Sequence, residues 1–306
     1  MLNPNGILFA GSVHPAHGQA VAALAGLPLG DAILTKWSDD ETRVILRTPV
    51  AGQHVIIVQP LTSNDALIEL LWMINAAVRH GAASVTVVAP FCAYGRQDKP
   101  TPGNQEPCAG ALALQLIEYA GASRLITADM HNLALASAVR IPLSNVLPTV
   151  PMMAAWMAAG LDLDRLVIAA ADPGAIRRAS VFSDALGKGD PAVLVKRRTA
   201  DGRCTTWGMV GDVCARPAML IDDLASTGAT LNQAAGVLLE HGATAVYASI
   251  THLRGPADVP WLAEAPIERL FVTDSTPIAG RAAAKLSVVP ISGAIAQAIT
   301  DTLGPR

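Results

Sequence analysis

Charge is scarce in this sequence: only 15% of its 306 residues are Asp, Glu, Lys or Arg, while 51% are hydrophobic. So little charge on so long a chain implies extensive burial, as in sheets covered on both faces. A basic excess is absent too. The net charge of -3 supplies no positive field for nucleic acid. Cysteine occurs at positions 92, 108, 204 and 214, with neither a CxxC pair nor a metal-finger spacing. That argues against a disulfide scaffold and leaves buried free thiols in a reducing compartment as the expectation. No membrane span is expected, because the uncharged stretch Ile141 to Leu161 is broken by Pro142, Pro148 and Pro151. The opening Met1-Leu2-Asn3-Pro4-Asn5-Gly6 lacks the basic start and apolar run of a signal peptide, so a cytoplasmic location is expected.

What the sequence does contain is a regular alternation. Apolar runs fall at Ile7 to Ala10, His54 to Gln59, Ser84 to Pro90, Arg124 to Asp129, Leu166 to Asp172, Ala192 to Val195, Ala218 to Asp223, Ala245 to His252 and Arg269 to Asp274. Helical periodicity lies between several of them, in Asn64 to Arg79, Pro107 to Tyr119 and Thr227 to Glu240, and again in Ser292 to Leu303. Strands alternating with helices predict parallel sheets and crossover helices, an α/β fold. Met152, Met153, Trp156 and Met157 have the spacing of a helix core face.

The two halves echo each other. His80-Gly81-Ala82-Ala83-Ser84-Val85 resembles His241-Gly242-Ala243-Thr244-Ala245-Val246, each following a helix that follows a strand. A duplicated α/β unit is expected. Its boundary falls in the proline-rich, charge-poor Pro142 to Pro151 region, giving domains 1–147 and 148–306.

One copy carries a candidate site. Met219-Leu220-Ile221 leads into Asp222-Asp223, and then Ser226-Thr227-Gly228-Ala229-Thr230 opens an apolar helix. Backbone N–H groups, hydroxyls and a helix N-terminus suit a phosphate. Carboxylates accept hydrogen bonds from a ribose diol and repel a phosphate. The first copy has Gln59-Pro60-Leu61-Thr62-Ser63-Asn64-Asp65 in the corresponding place. The plainer alternative is an Asp capping an ordinary helix. Elsewhere, Lys196-Arg197-Arg198 is a cluster in a chain of only five lysines, and it reads as either a solvated charge run or an anion-binding arm. The polar Thr199 to Thr205 stretch suits a hairpin or a lid.

Taken in order, Trp37-Ser38-Asp39-Asp40-Glu41, Tyr94-Gly95-Arg96-Gln97-Asp98-Lys99, Asp129-Met130-His131, Asp172-Pro173-Gly174, Lys196-Arg197-Arg198, Gly211-Asp212-Val213 and the loop 222–230 resemble the ribose-phosphate pyrophosphokinase family, also called phosphoribosyl pyrophosphate synthetases. The resemblance runs from Phe9 to Gly293. It implies two similar phosphoribosyltransferase-like domains and transfer of the diphosphoryl group of ATP to the 1-hydroxyl of ribose 5-phosphate. Lys196 and Arg198 match the catalytic cations of a mobile arm. Arg96, Gln97 and Asp98 match the ATP loop. Trp37, Asp39 and Glu41 match a segment that reaches the adenine from an adjacent subunit, which implies a homo-oligomer. Asp222, Asp223, Ser226, Thr227, Gly228, Ala229 and Thr230 match the ribose 5-phosphate loop, and His131 and Asp172 match magnesium positions. By chemistry alone Asp172 is the stronger Mg²⁺ ligand; His131 also reads as a hydrogen-bonded core histidine, and Trp37 as a packing residue.

Four departures accompany the matches. Trp37 replaces a phenylalanine, Asp40 a glycine, Ser226 an acid and Ala229 a glycine. The family's regulatory anion site is expected to be unmatched: Pro100-Thr101-Pro102-Gly103-Asn104-Gln105-Glu106 replaces a basic stretch, and the family's serine-containing tail is expected to be missing after Gly304-Pro305-Arg306. Two other readings compete with an active synthetase. One is a non-catalytic paralogue that regulates a synthetase, opposed by retention of Lys196, Arg198, His131 and Asp172. The other is a phosphoribosyltransferase, opposed by the duplicated unit and the ATP motifs.

Overall fold

The computed structural model describes residues 6–198, 204–255, 259–278 and 284–303, and the chain divides into two compact units. The first runs to Leu147 and takes in Ser275–Pro277 and the segment from Ile291; the second comprises Pro148–Asp274 and Ile278–Pro290. The final helix, expected with the second half, is therefore grouped with the first.

In the first unit, β1 (Gly6–Ala10), α1 (Pro15–Ala25), a hairpin of β2 (Ala32–Lys36) and β3 (Thr42–Leu46), β4 (His54–Val58), α2 (Asn64–Arg79), β5 (Ser84–Ala89), α3 (Ala109–Tyr119), β6 (Arg124–Ala128) and β7 (Leu143–Val146) follow in order. The sheet is parallel throughout, with order β1-β4-β5-β6-β7. Successive strand residues point to opposite faces, and both faces are covered. Phe9, Ile57 and Val87 pack with α2 and α3 residues such as Leu70, Ile74 and Leu114, whereas Leu8, Ile56 and Val88 pack with Val21 and Ala22 of α1 and with Ile295 and Ile299 near the chain's end. This double burial is why those strands read as continuous apolar runs.

The second unit contains α4 (Thr149–Ala158), β8 (Val167–Ala170), α5 (Ile176–Ala185), β9 (Ala192–Arg198), β10 (Cys204–Val210), β11 (Pro217–Ala225), α6 (Ala229–Glu240), β12 (Ala245–Leu253), α7 (Trp261–Glu264), β13 (Arg269–Thr273) and β14 (Leu286–Val289). The last helix, α8 (Ser292–Leu303), belongs to the first unit. Strand order here is β10-β9-β8-β11-β12-β13-β14, with only β10 antiparallel to its neighbour. Leu220, Ala248 and Leu270 pack on Leu231 and Leu238 of α6. On the other face Met219, Ile221 and Phe271 meet Met152, Trp156 and Phe182, with the Trp156 and Phe182 rings stacked at 5.0 Å. Met157, by contrast, is exposed.

From β1 to β7 and again from β8 to β14 the order is strand-helix-hairpin-strand-helix-strand-helix-strand-strand. The repeated His-Gly-Ala has a local cause in each. Gly81 follows α2 with φ 79° and Gly242 follows α6 with φ 89°. Their N–H groups bond to Val78 O and Leu239 O, at 3.0 and 2.9 Å, and the next residues bond back to Ala77 O and Leu238 O. Glycine accepts this left-handed turn without a Cβ penalty, so the same three residues stop each helix and feed β5 and β12.

Two of the free thiols, Cys108 and Cys214, are exposed, contrary to the expected burial; Cys92 is half-buried, and burial pushes its thiol up to about 12. Among the described residues no helix is long and apolar enough to cross a membrane.

Candidate active site

In the second unit β8 lies between β9 and β11, so the connections leaving it run to opposite sides. The carboxyl ends of strands at such a switch point are where open α/β sheets bind ligands. Asp172 follows β8 by two residues. Its side chain accepts from Ala175 N–H at 3.2 Å and starts a short 3-10 turn, Pro173–Ala175. Asp222 and Asp223 lie in the last part of β11, paired with β8 through Ile221 opposite Ala170.

These carboxylates are unequal. Asp223 is buried, and the half-exposed side of α5 supplies a cation: Arg178 Nη1 stands 3.8 Å from Asp223 Oδ1, with both side chains nearly covered. Asp222 is held well above the usual carboxylate range, first by burial, then by the charge and side-chain hydrogen bond of Asp223, then by the charge of Asp172. The Asp223 N–H, donating to Asp222 Oδ1 at 2.9 Å, opposes this only partly. Arg178 thus sets a positive charge beside Asp223, while burial and the neighbouring acids disfavour the charged form of Asp222.

After β11 the chain turns through Ser226 and Thr227 to Gly228, which caps α6 with φ 72° and ψ -3°. The helix begins at Ala229 rather than at Thr227, so the hydroxyl of Thr227 stays in the turn and is exposed. Ala229 and Thr230 form the exposed first turn of α6. The loop is braced from behind. A Cβ built on Gly228 would stand 2.2 Å from the Trp261 ring, and one on Gly255 would stand 2.9 Å from Ser226 O. Neither Trp261 nor Gly255 carries a local signal of this role; both act through tertiary contact.

Lys196 and Arg198 lie on the backbone of β9, opposite Thr206 and Cys204 of β10. Their side chains, and residues 199–203, lie outside the described part of the structure.

The nucleotide candidates belong to the first unit. The loop after β5 doubles back at Tyr94, with φ 61°. Tyr94 O accepts from Gln97 N–H at 2.8 Å, and Gln97 O accepts from Gly110 N–H at 3.1 Å, at the start of α3. The Tyr94 hydroxyl donates to Asn64 Oδ1. Arg96 and Gln97 are exposed, while Asp98 is half-buried. Beside them, the segment after β6 turns at Asp129, φ 40°, with Met130 N–H bonded to Asn145 Oδ1 at 2.8 Å. His131 then faces solvent, not a core, and a Cβ on Gly95 would come within 3.1 Å of its Cβ.

Trp37, Asp39 and Glu41 sit together at the tip of the β2–β3 hairpin. Trp37 is 52% exposed, so core packing does not explain it. One ring face is taken by Arg43, whose guanidinium carbon stands 4.2 Å from the ring centroid, a cation–π contact. Asp40 has φ 72°, a conformation that suits glycine. Its carboxylate is held by Lys36 at 2.8 Å, and Lys36 also bonds Asp65 at 2.7 Å. Those two acids push the lysine up to about 12.

Among the described residues no group of three or more His, Cys, Asp or Glu side chains is set to hold a metal.

Comparison with known proteins places this arrangement. Residues 6–121 match the N-terminal domain of ribose phosphate pyrophosphokinase, and residues 190–303 the phosphoribosyl synthetase-associated domain. A ribose-phosphate pyrophosphokinase of Aquifex aeolicus is 33% identical over 300 residues, covering 96% of this chain and 95% of that one. The chain belongs to the ribose-phosphate pyrophosphokinase family. A second member, from Xanthomonas campestris, is 33% identical over 303 residues, covering 96% of this chain and 94% of its own. Among solved structures, the phosphoribosylpyrophosphate synthetase of Mycobacterium smegmatis superposes with a TM-score of 0.87 at 28% identity, covering 97% of this chain and 98% of that one.

Proposed function

We propose that this pyrophosphokinase transfers the β,γ-diphosphoryl group of ATP to the 1-hydroxyl of ribose 5-phosphate. The hydroxyl oxygen attacks the β-phosphorus, the bond to the α-phosphate oxygen breaks, AMP leaves and the hydroxyl proton is lost. The observation that carries the reading is the run of Asp222, Asp223 and the Gly228 loop at the switch point of the second unit. There, the N–H groups of Thr227 to Thr230 and the hydroxyls of Ser226, Thr227 and Thr230 would bind the 5-phosphate. The ribose hydroxyls would bind Asp222 and Asp223.

Arg96, Gln97 and Asp98 would hold ATP, the guanidinium as a bidentate fork for phosphate oxygens. Trp37, Asp39 and Glu41 of a neighbouring subunit's hairpin would complete the adenine site, Trp37 stacking through the ring face opposite Arg43, which makes a homo-oligomer the working form. Lys196 and Arg198 would meet the negative charge that gathers on the transferred group. Asp172, whose charge adds to the carboxylate crowding around Asp222, would offer Mg²⁺ a hard oxygen, and His131 would offer an imidazole. Bound there, the ion would neutralise phosphoryl oxygens. A cytoplasmic location goes with this reading.

Calorimetry tests it. Wild-type protein should bind ribose 5-phosphate, and Asp222→Asn or Asp223→Asn should weaken that binding by about 1 to 3 kcal/mol, the cost of mispaired polar groups, while ATP binding persists. Equal loss of ATP affinity would show the carboxylates to be misassigned.

A further inference from the structure

The nucleotide loop is tied to the neighbouring turn by a side chain outside the matched motifs. Asn132 Nδ2 donates to Asp98 Oδ2 at 2.5 Å, and both residues are half-buried. The same side chain turns its Oδ1 to the Ala134 N–H, 2.9 Å away, capping the 3-10 helix Leu133–Ala138. That second bond fixes the orientation of the amide. A backbone N–H can only donate, so the atom facing it is the oxygen, and the NH₂ group must face Asp98.

One planar group thus joins two segments. The Arg96–Asp98 loop meets the His131 turn where Gly95 approaches the His131 Cβ and where the carboxylate of Asp98 accepts from Asn132. The loop's other described ties, Gln97 O to Gly110 N–H and Tyr94 to Asn64, run to α3 and α2 instead. None of those constrains the loop relative to His131. A hydrogen bond to a charged acceptor is about twice as strong as a neutral one, so this contact can hold Asp98, and with it Arg96 and Gln97, at a set distance from the His131 turn.

We infer that Asn132 is a positioning residue for nucleotide binding, holding the Arg96–Asp98 loop in its ATP-competent place through Asp98. The inference rests on the reading of that loop as the ATP site. Two substitutions separate the tether from the cap. Asn132→Ala removes both. Asn132→Asp keeps an oxygen for the Ala134 N–H but sets a carboxylate against Asp98.

Steady-state kinetics on the folded, full-length variants should show the KM for ATP raised about tenfold or more, with the KM for ribose 5-phosphate within about twofold and kcat within about threefold of wild type. Asn132→Asp should be the worse of the two for ATP although it retains the cap, because like charges then face each other. A residue that merely caps the 3-10 helix would give the opposite order. An unchanged ATP KM in Asn132→Asp, or equal increases for both substrates, would overturn the inference. Calorimetry with magnesium and ATP keeps the two levels apart. If wild type binds and Asn132→Asp binds equally well, the tether is wrong; if wild type does not bind ATP, the nucleotide reading falls and takes the tether with it.

Discussion

Replacing Gly228 by alanine strains the loop before α6 in two separable ways. The residue sits at φ 72°, and an L side chain in the left-handed region costs about 1–2 kcal/mol. The added methyl would also stand 2.2 Å from Cδ2 and Cε3 of Trp261. These are carbons of a rigid bicyclic ring, not the end of a flexible chain, so the ring or the loop must shift, at the roughly 1–3 kcal/mol typical of overpacking. The sum is about 2–5 kcal/mol, or a melting temperature lower by on the order of 10 °C. Urea unfolding of Gly228→Ala, Trp261→Ala and the double variant should reveal the second part by itself. With the ring gone the clash vanishes while the backbone strain stays, so the two changes should couple by about 1–3 kcal/mol. Ribose 5-phosphate affinity should fall in Gly228→Ala, because the N–H groups of the turn move with the loop. A Gly228→Ala variant within about 0.5 kcal/mol of wild type, or a strictly additive cycle, would refute this account of the loop.

Three further outcomes follow from the site. Lys196→Ala and Arg198→Ala should each lower kcat roughly a hundredfold or more with little change in substrate affinity, since cations that meet developing charge act in the transition state; near-normal turnover in both would remove them from the mechanism. Asp222→Asn should gain stability over wild type as pH rises. Its folded-state pKa lies above the ordinary value, so its contribution is intact below about pH 4 and is lost as pH climbs through the raised value. Thermal melts in chelator from pH 4 to pH 8 check the sign, and a difference that is flat or shrinks with pH contradicts it. ADP should inhibit only by competing with ATP, and phosphate should not activate, because the loop Pro100 to Glu106 offers an acid and no arginine to an anionic effector; ADP inhibition surviving saturating ATP would disprove this.

The buried strands were legible because each is covered on both faces. Val55 to Val58 and Met219 to Ile221 leave no polar alternation to read, and the apolar run itself is the signal. The hairpin strands β2 and β3 and the strands β7 and β14 escaped for the converse reason. Thr42-Arg43-Val44-Ile45-Leu46 and Leu143-Ser144-Asn145-Val146 are half-exposed, and their composition suits a loop as well as a strand. Periodicity located α8 from Ser292 to Leu303, but no local pattern says that its Ile295 and Ile299 pack with Leu8 and Val21. The site divides the same way. Asp222, Asp223 and Gly228 fall within seven residues of sequence, so their chemistry reads directly. Arg178 meets Asp223, Trp261 backs Gly228 and Asn132 meets Asp98 across 45, 33 and 34 residues of sequence, contacts that no local pattern announces.

The central claim is a transfer of two phosphoryl groups together, and product analysis by phosphorus NMR tests it most directly. Purified protein with magnesium, ATP and ribose 5-phosphate should form AMP and phosphoribosyl pyrophosphate in equal amounts, with both the β- and γ-phosphorus of ATP appearing as the diphosphate on the sugar. ATP that remains intact at every phosphate and magnesium concentration, or ADP formed together with a ribose carrying a single new phosphate, would contradict it.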